Sequence, residues 1–153
     1  MEKINTQNTD IATIEIYNRR FYIPAVLGFV DSVVAGHRNH DISNYNRFRC
    51  ALTEILRTRM ENAYPNSVGK MYVDISIVDG FFEVSIRDMG IPQWVDLSYD
   101  KENITTSRED MRRFMLDACV DSAGMEKLGK EGQRVYIRQK IRNPLDFCSS
   151  QSV

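Results

Sequence analysis

The sequence predicts an α+β fold, a two-layer α/β sandwich with one mixed, mostly antiparallel sheet and about three helices on one face. Two observations predict it. The spacing of apolar residues changes several times between two and three to four. The resulting elements follow the order strand, two helices, hairpin, loop, helix and hairpin. A length of 153 residues suits one such domain with a single core.

The first half of the chain supplies one strand and two helices. Alternation from Ile11 to Tyr17 predicts the strand, and three- and four-residue spacing from Tyr22 to about His37 predicts the first helix. A polar break follows, and the clearest apolar stripe of the chain then predicts a second helix from Asn44 to Tyr64. Asp41 and Ser43 are the candidate N-caps of this helix.

The second half supplies two hairpins and a third helix. Alternating residues at 73–77 and 82–88 flank the dipeptide Asp79-Gly80, which predicts a two-residue hairpin turn. The polar residues 96–108 predict a long loop, and a helix is expected from Ser107 to about Gly124. A final hairpin pairs residues 125–128 with 133–141. Residues 1–10 and 144–153 are expected to be flexible ends of a single domain at 11–143.

Composition excludes several classes of function. The 20 basic and 21 acidic residues give a net charge of −1, which leaves no large positive field to attract nucleic acid. Since a membrane span needs about 20 apolar residues and a signal peptide an apolar core, we expect neither, and a cytoplasmic protein. Cys50, Cys119 and Cys148 are odd in number and are expected to be reduced. Two histidines offer too few ligands for a metal site.

Two polar features stand out on the predicted elements. Glu54, Thr58 and Asn62 recur every four residues and share one face of the second helix. This face is either functional or simply solvated. Asp88 continues the inward face of a predicted strand, where a buried acid needs a hydrogen-bond partner. A ligand contact and an Asx turn at the strand end explain it equally well.

The helix with Glu54, the strand that ends at Asp88 and the final hairpin follow one another along the chain. Taken in that order, they resemble the nucleotide-binding domain shared by histidine kinases, gyrase and heat-shock chaperones, the GHKL ATPases with the Bergerat fold. The closest branch is the anti-sigma-factor serine kinases. The stretch ALTEILRTRMENAYP is similar to that branch's helix, in which an acid, an Asn and a His recur every four residues before Ala-Tyr-Pro. VSIRDMGIP resembles the strand and first glycine box, and MEKLGKEGQRVYIRQKI the last hairpin. The resemblance extends from about Ile11 to Ile141.

The resemblance implies an ATP site with Mg²⁺. Glu54 takes the position of the general base that activates the attacking hydroxyl. Asp88 takes the position that binds the adenine amine, and Gly90 leaves room for the ring. Asn62 and Pro92 belong to the same two motifs and count among the predicted nucleotide-binding residues.

Two positions depart from the family. Thr58 stands where the family has the Asn that holds Mg²⁺, and a threonine hydroxyl reaches less far than an amide oxygen. The second glycine box aligns with residues 111–114, where Arg112 and Arg113 could replace the glycine backbone contacts to phosphate with guanidinium groups.

Three hypotheses follow from these matches and departures. The chain is an ATP-dependent serine/threonine kinase of the anti-sigma type, or a degenerate, non-catalytic member that acts only as a protein-binding module. In both cases the expected partners are proteins such as a sigma factor or an anti-sigma antagonist. The resemblance also implies that the chain can form a homodimer. In the third, an unrelated α+β domain, Glu54 and Asp88 are only structural.

Overall fold

The computed structural model describes residues 8–36, 41–42, 44–92 and 118–142. In this part of the chain six strands and two α-helices are present, together with short 3₁₀ turns at Arg20–Tyr22 and Gly129–Glu131. The elements are β1 (Asn8–Tyr17), α1 (Ile23–Gly36), β2 (Asp41–Ile42), α2 (Tyr45–Asn62), β3 (Lys70–Val78), β4 (Phe81–Asp88), β5 (Ser122–Lys127) and β6 (Gln133–Arg142). The α+β class is confirmed.

The strands form one sheet in the order β1-β3-β4-β6-β2, and β5 also pairs with β6. Every pairing among the described strands is antiparallel, so the expectation of a mixed sheet is wrong for them. The reason lies in the connections, because β3–β4 and β5–β6 are joined by tight turns and no single helix links two neighbouring strands.

The core lies between one face of the sheet and the two helices. Phe48 of α2 packs against Phe82 of β4 with ring centroids 5.5 Å apart. Burying side chains of this size contributes about 1.5–3 kcal/mol each. Other fully buried members come from both helices and from the central strands: Val26, Val30, Leu52, Leu56, Met71, Val73, Ile75, Val84, Ile86, Val135 and Ile137. The two-layer arrangement is thus present, with two described helices instead of about three.

One polar cluster fixes the two helices against each other. Asp31 of α1 accepts hydrogen bonds from the Tyr45 hydroxyl at 2.5 Å and from Arg49 Nε at 3.0 Å. The Arg49 hydrogen bond holds the pKa of Asp31 below its usual value, and burial raises the pKa of Tyr45.

Neither described helix combines the length and the apolar character that a membrane crossing requires.

The turns agree with the sequence, whereas several element ends do not. Asp79 and Gly80 have φ of 51° and 81°, as a type I′ hairpin requires. Strand β1 begins at Asn8, three residues before the predicted start, because residues 8–10 pair with 76–78. Asp41 pairs with Arg142 in β2, so it is not a helix cap, and Ser43 lies outside the described residues.

The predicted end of the third helix is also wrong. Residues 122–124 belong to β5 and pair with 136–138 of β6, although a helix was expected to continue to Gly124. Pairing with the long β6 strand gives these backbone groups their hydrogen bonds. Only residues 118–119 of that helix are described, and they are helical. The predicted loop, the rest of the helix and the C-terminal tail lie outside the described residues.

Candidate functional site

Arg59 occupies the middle of the buried face of α2. It follows Leu52 by seven residues and Ile55 by four, a spacing that places all three side chains on one face. Its side chain is only 2% exposed. A guanidinium is always charged in a protein, so its burial at this position requires hydrogen-bond acceptors nearby.

Asp88, the last residue of β4, supplies those acceptors. The strand alternates, and Val84 and Ile86 point into the same core. The Asp88 side chain has 0% exposure and forms a two-pronged ion pair with Arg59, with Nη2 to Oδ1 at 2.6 Å and Nε to Oδ2 at 3.0 Å. This geometry is the strongest form of a carboxylate–guanidinium contact.

Two more donors complete the surroundings of the carboxylate. Gln133, directly opposite Asp88 in the register of β4 and β6, donates from Nε2 to Oδ1 at 2.5 Å. The backbone N–H of Gly90 donates to the same oxygen at 2.9 Å, which makes the predicted Asx turn. Asp88 therefore accepts four hydrogen bonds, about the full capacity of a carboxylate.

The turn after Asp88 is bound to α2 and β6 through its backbone. Arg59 Nη1 donates to the Ile91 carbonyl at 2.9 Å, and Gln133 Nε2 donates to the Gly90 carbonyl at 2.8 Å. The Ile91 N–H donates to the Ala63 carbonyl at 2.7 Å. A Cβ atom at Gly90 would overlap the Ala63 carbonyl, so this glycine has a packing role whether or not a ligand is bound.

The remaining predicted site residues do not meet at Asp88. Glu54 is paired with Arg57 on the helix surface, with Nη2 to Oε1 at 2.5 Å. This hydrogen bond raises the pKa of Arg57. Asn62 is exposed at the end of α2, and Pro92 is exposed at the end of a described segment. Arg112 and Arg113 lie outside the described residues.

Thr58, the predicted metal ligand, is buried with 5% exposure. Its Oγ1 is enclosed and has no hydrogen-bond partner among the residues that the structure describes. A protein-bound magnesium ion usually keeps several water ligands and binds oxygen atoms at about 2.0–2.1 Å. A hydrated ion of this kind cannot approach an enclosed hydroxyl so closely. In this arrangement the residues of the two motifs do not fit an Mg²⁺–ATP complex in the manner of the family. Among the described residues, no group of three or more His, Cys, Asp or Glu side chains could hold a metal ion.

A cleft of about 500 Å³ opens beside this cluster, at the ends of β3 and β4. Its lining includes Tyr64, Lys70, Met89 and Lys130. The Tyr64 hydroxyl closes one side, since it accepts from the Met89 N–H at 2.9 Å and donates to the Lys70 carbonyl at 2.8 Å. The Asp88 carboxylate is shielded from the cleft, because its side chain has no exposed surface.

Sequence reasoning identified Asp88 and missed Arg59 and Gln133. Arg59 left a signal in the sequence, whereas Gln133 meets Asp88 only through the register of β4 and β6. The apolar stripe of α2 contains a single charged position, Arg59, and a single inward acid lies on the neighbouring strands, so the two charges could have been paired.

Comparison of the sequence with models of known protein families gives no match, and comparison with curated proteins gives no significant match. The resemblance to GHKL ATPases therefore stays a prediction.

Proposed function

We propose that this chain is a non-catalytic regulatory module that binds protein partners and is built on a GHKL-like fold. The observation that carries the proposal is the buried ion pair between Arg59 and Asp88. The Arg59 guanidinium takes the acceptors that the family uses for the adenine amine. An incoming adenine would have to break a two-pronged contact between two charged groups in order to form one hydrogen bond from an uncharged donor.

The other catalytic positions favour the same conclusion. Glu54 would have to leave Arg57 before it could accept a proton from a hydroxyl group. The Thr58 hydroxyl would have to become exposed before it could coordinate a hydrated metal ion. Nucleotide binding requires both changes together with the opening of the Asp88 cluster.

The face of the sheet opposite the helices supports a role in protein binding. Among the described residues no helix packs on it, and it combines tyrosine rings with arginines. Arg87 lies over the Tyr72 ring at 4.8 Å, and Arg134 and Arg138 lie over the Tyr136 ring at 4.8 and 4.6 Å. Aromatic residues and arginine are the types enriched at protein–protein interfaces.

Calorimetric titration with ATP, with and without Mg²⁺, tests the proposal. We expect no heat of binding at millimolar ATP for the wild-type chain. The same titration of Asp88→Asn and of Asp79→Asn separates specific from incidental effects. The control position Asp79 lies in an exposed turn at φ 51°, a backbone conformation that asparagine adopts easily.

The opposite result would restore the kinase hypothesis. Mg²⁺-dependent binding that is abolished by Asp88→Asn and retained by Asp79→Asn would overturn the non-catalytic proposal. Capture of partners by the whole chain from an extract of its native cell tests the other half. If ATP stays silent and no protein is captured, an unrelated α+β domain becomes the better interpretation.

A further inference from the structure

The face of the sheet opposite the two described helices contains a depression of about 320 Å³. Its lining includes Asp74, Ser76, Ser85, Arg87 and Arg134, which come from three neighbouring strands. Short side chains surrounded by long ones produce it. Side chains opposite each other on one face of an antiparallel sheet are close neighbours. Ser85 lies opposite Asp74 on one side, and Arg87 lies opposite Arg134 on the other.

Two serine side chains lie at the bottom of this depression. Ser76 is 6% exposed and Ser85 is 2% exposed, yet both line the depression. Neither hydroxyl forms a hydrogen bond with any residue in the described part of the chain. Both hydroxyls are therefore available to form hydrogen bonds with a polar group that enters the depression.

The arginines at the edge of the depression add further donors. Arg87 uses Nε and Nη2 on Asp74, and Arg134 uses Nε on Glu126 and Nη1 on Glu83. No described residue accepts from Nη1 of Arg87 or Nη2 of Arg134. The carboxylates of Asp74, Glu83 and Glu126 balance the charge of these two guanidinium groups. What distinguishes the depression is that most of its spare hydrogen-bonding groups are donors.

We propose that this depression receives the carboxylate of an aspartate or glutamate side chain from a protein partner. A carboxylate has only acceptors, which matches two hydroxyls and two N–H groups. The volume lies at the lower end of ligand pockets and suits one inserted side chain. The surrounding arginines and tyrosines extend the contact sideways, as a protein surface requires. This inference rests on the proposed role in protein binding.

Binding of a labelled peptide of alternating glutamate and leucine tests the inference. Fluorescence anisotropy gives its affinity for the wild-type chain, for Ser85→Val and for Ser122→Val. The control residue Ser122 lies on the same face, opposite Arg138, outside the depression. We expect Ser85→Val to weaken binding about tenfold, the effect of losing a hydrogen bond to a charged group, and Ser122→Val to change it less than about twofold.

Folding does not complicate this comparison. The Ser85 hydroxyl has no hydrogen bond to lose in the described structure, and valine is favoured in strands. The thermal midpoint of Ser85→Val should therefore equal or exceed that of the wild type. Amide spectra of the complex should show their largest shifts at Ser76, Ser85 and Arg87.

Three results would overturn the inference. They are equal affinity of the wild type and Ser85→Val, equal affinity for a peptide with glutamine in place of glutamate, and binding of succinate as tight as that of the peptide. The last would indicate a small-molecule site. The proposed function fails separately, because it depends on ATP titration and partner capture. A silent ATP titration with a captured partner and no peptide binding would reject this depression alone.

Discussion

Single residues decide the state of the candidate site, and Arg59 has the largest effect among them. An isolated charge moved into a protein interior costs several kcal/mol even after relaxation. Arg59 and Asp88 are 2% and 0% exposed, so each is tolerated only because the other is present. The pair also joins α2 to the end of β4, and Gln133 extends the contact to β6.

The Arg59→Met variant tests this dependence. We expect it to lower the free energy of unfolding by about 3–5 kcal/mol, because it leaves the Asp88 carboxylate buried without its countercharge. The double variant with Asp88→Asn should lose less than the sum of the single variants, with a coupling of about 1–3 kcal/mol. Asparagine still offers an oxygen to Gln133 and Gly90. Urea denaturation measures all three variants.

Arg57→Met is the matched control, since it removes the same side chain from a partly exposed pair on the same helix. Its cost should stay below about 1 kcal/mol. Equal costs for Arg59→Met and Arg57→Met would show that the buried pair does not stabilise the fold.

The turn from Asp88 to Pro92 is an element whose position is fixed by close packing against α2. A Cβ atom at Gly90 would overlap backbone atoms of Ala63, which a rigid helix end cannot move. We expect Gly90→Ala to destabilise the chain by about 1–3 kcal/mol. Thermal and urea denaturation measure this loss.

Gly28→Ala is the comparison for this substitution. Gly28 lies inside α1, and nothing lies within 4 Å of a Cβ atom at that position. Alanine should therefore stabilise the helix by about 0.5–1 kcal/mol. If both alanine variants have the same sign, local packing does not explain the glycine of the first box.

The elements themselves were largely predictable from the sequence, because period and turn chemistry are local properties. The Asp79-Gly80 hairpin and the α2 stripe agree with the structure on that basis. The ends depended on pairing with distant strands, which no local pattern contains. Asp41 reads as a cap but pairs with β6, and residues 122–124 read as a helix end but extend β5.

The candidate site was less predictable than the fold. The positions of Glu54 and Asp88 on their elements followed from spacing, but their partners did not. A motif shows which residue types are present, whereas the state of a carboxylate depends on what the fold places beside it. The family pattern does not specify position 59, so a motif match alone does not contain the residue that binds the Asp88 carboxylate.

For the molecule as a whole, the order of strands determines where the sheet is most stable. Strand β4 pairs along its full length with β3 on one side and β6 on the other. Strand β1 pairs only with β3, and no described residue pairs with its outer edge. An open edge of ten residues is long enough to accept another strand.

Hydrogen exchange should follow this order. We expect the slowest amides in β4, at Val84 and Ile86, because their exposure requires opening of the whole domain. The β1 amides that point away from β3 should exchange fastest among the strand residues, since water reaches them directly. Exchange followed by NMR at two protein concentrations measures both sets. Slow exchange at the outer edge of β1 that appears only at the higher concentration would contradict a free edge and would indicate a second copy paired there.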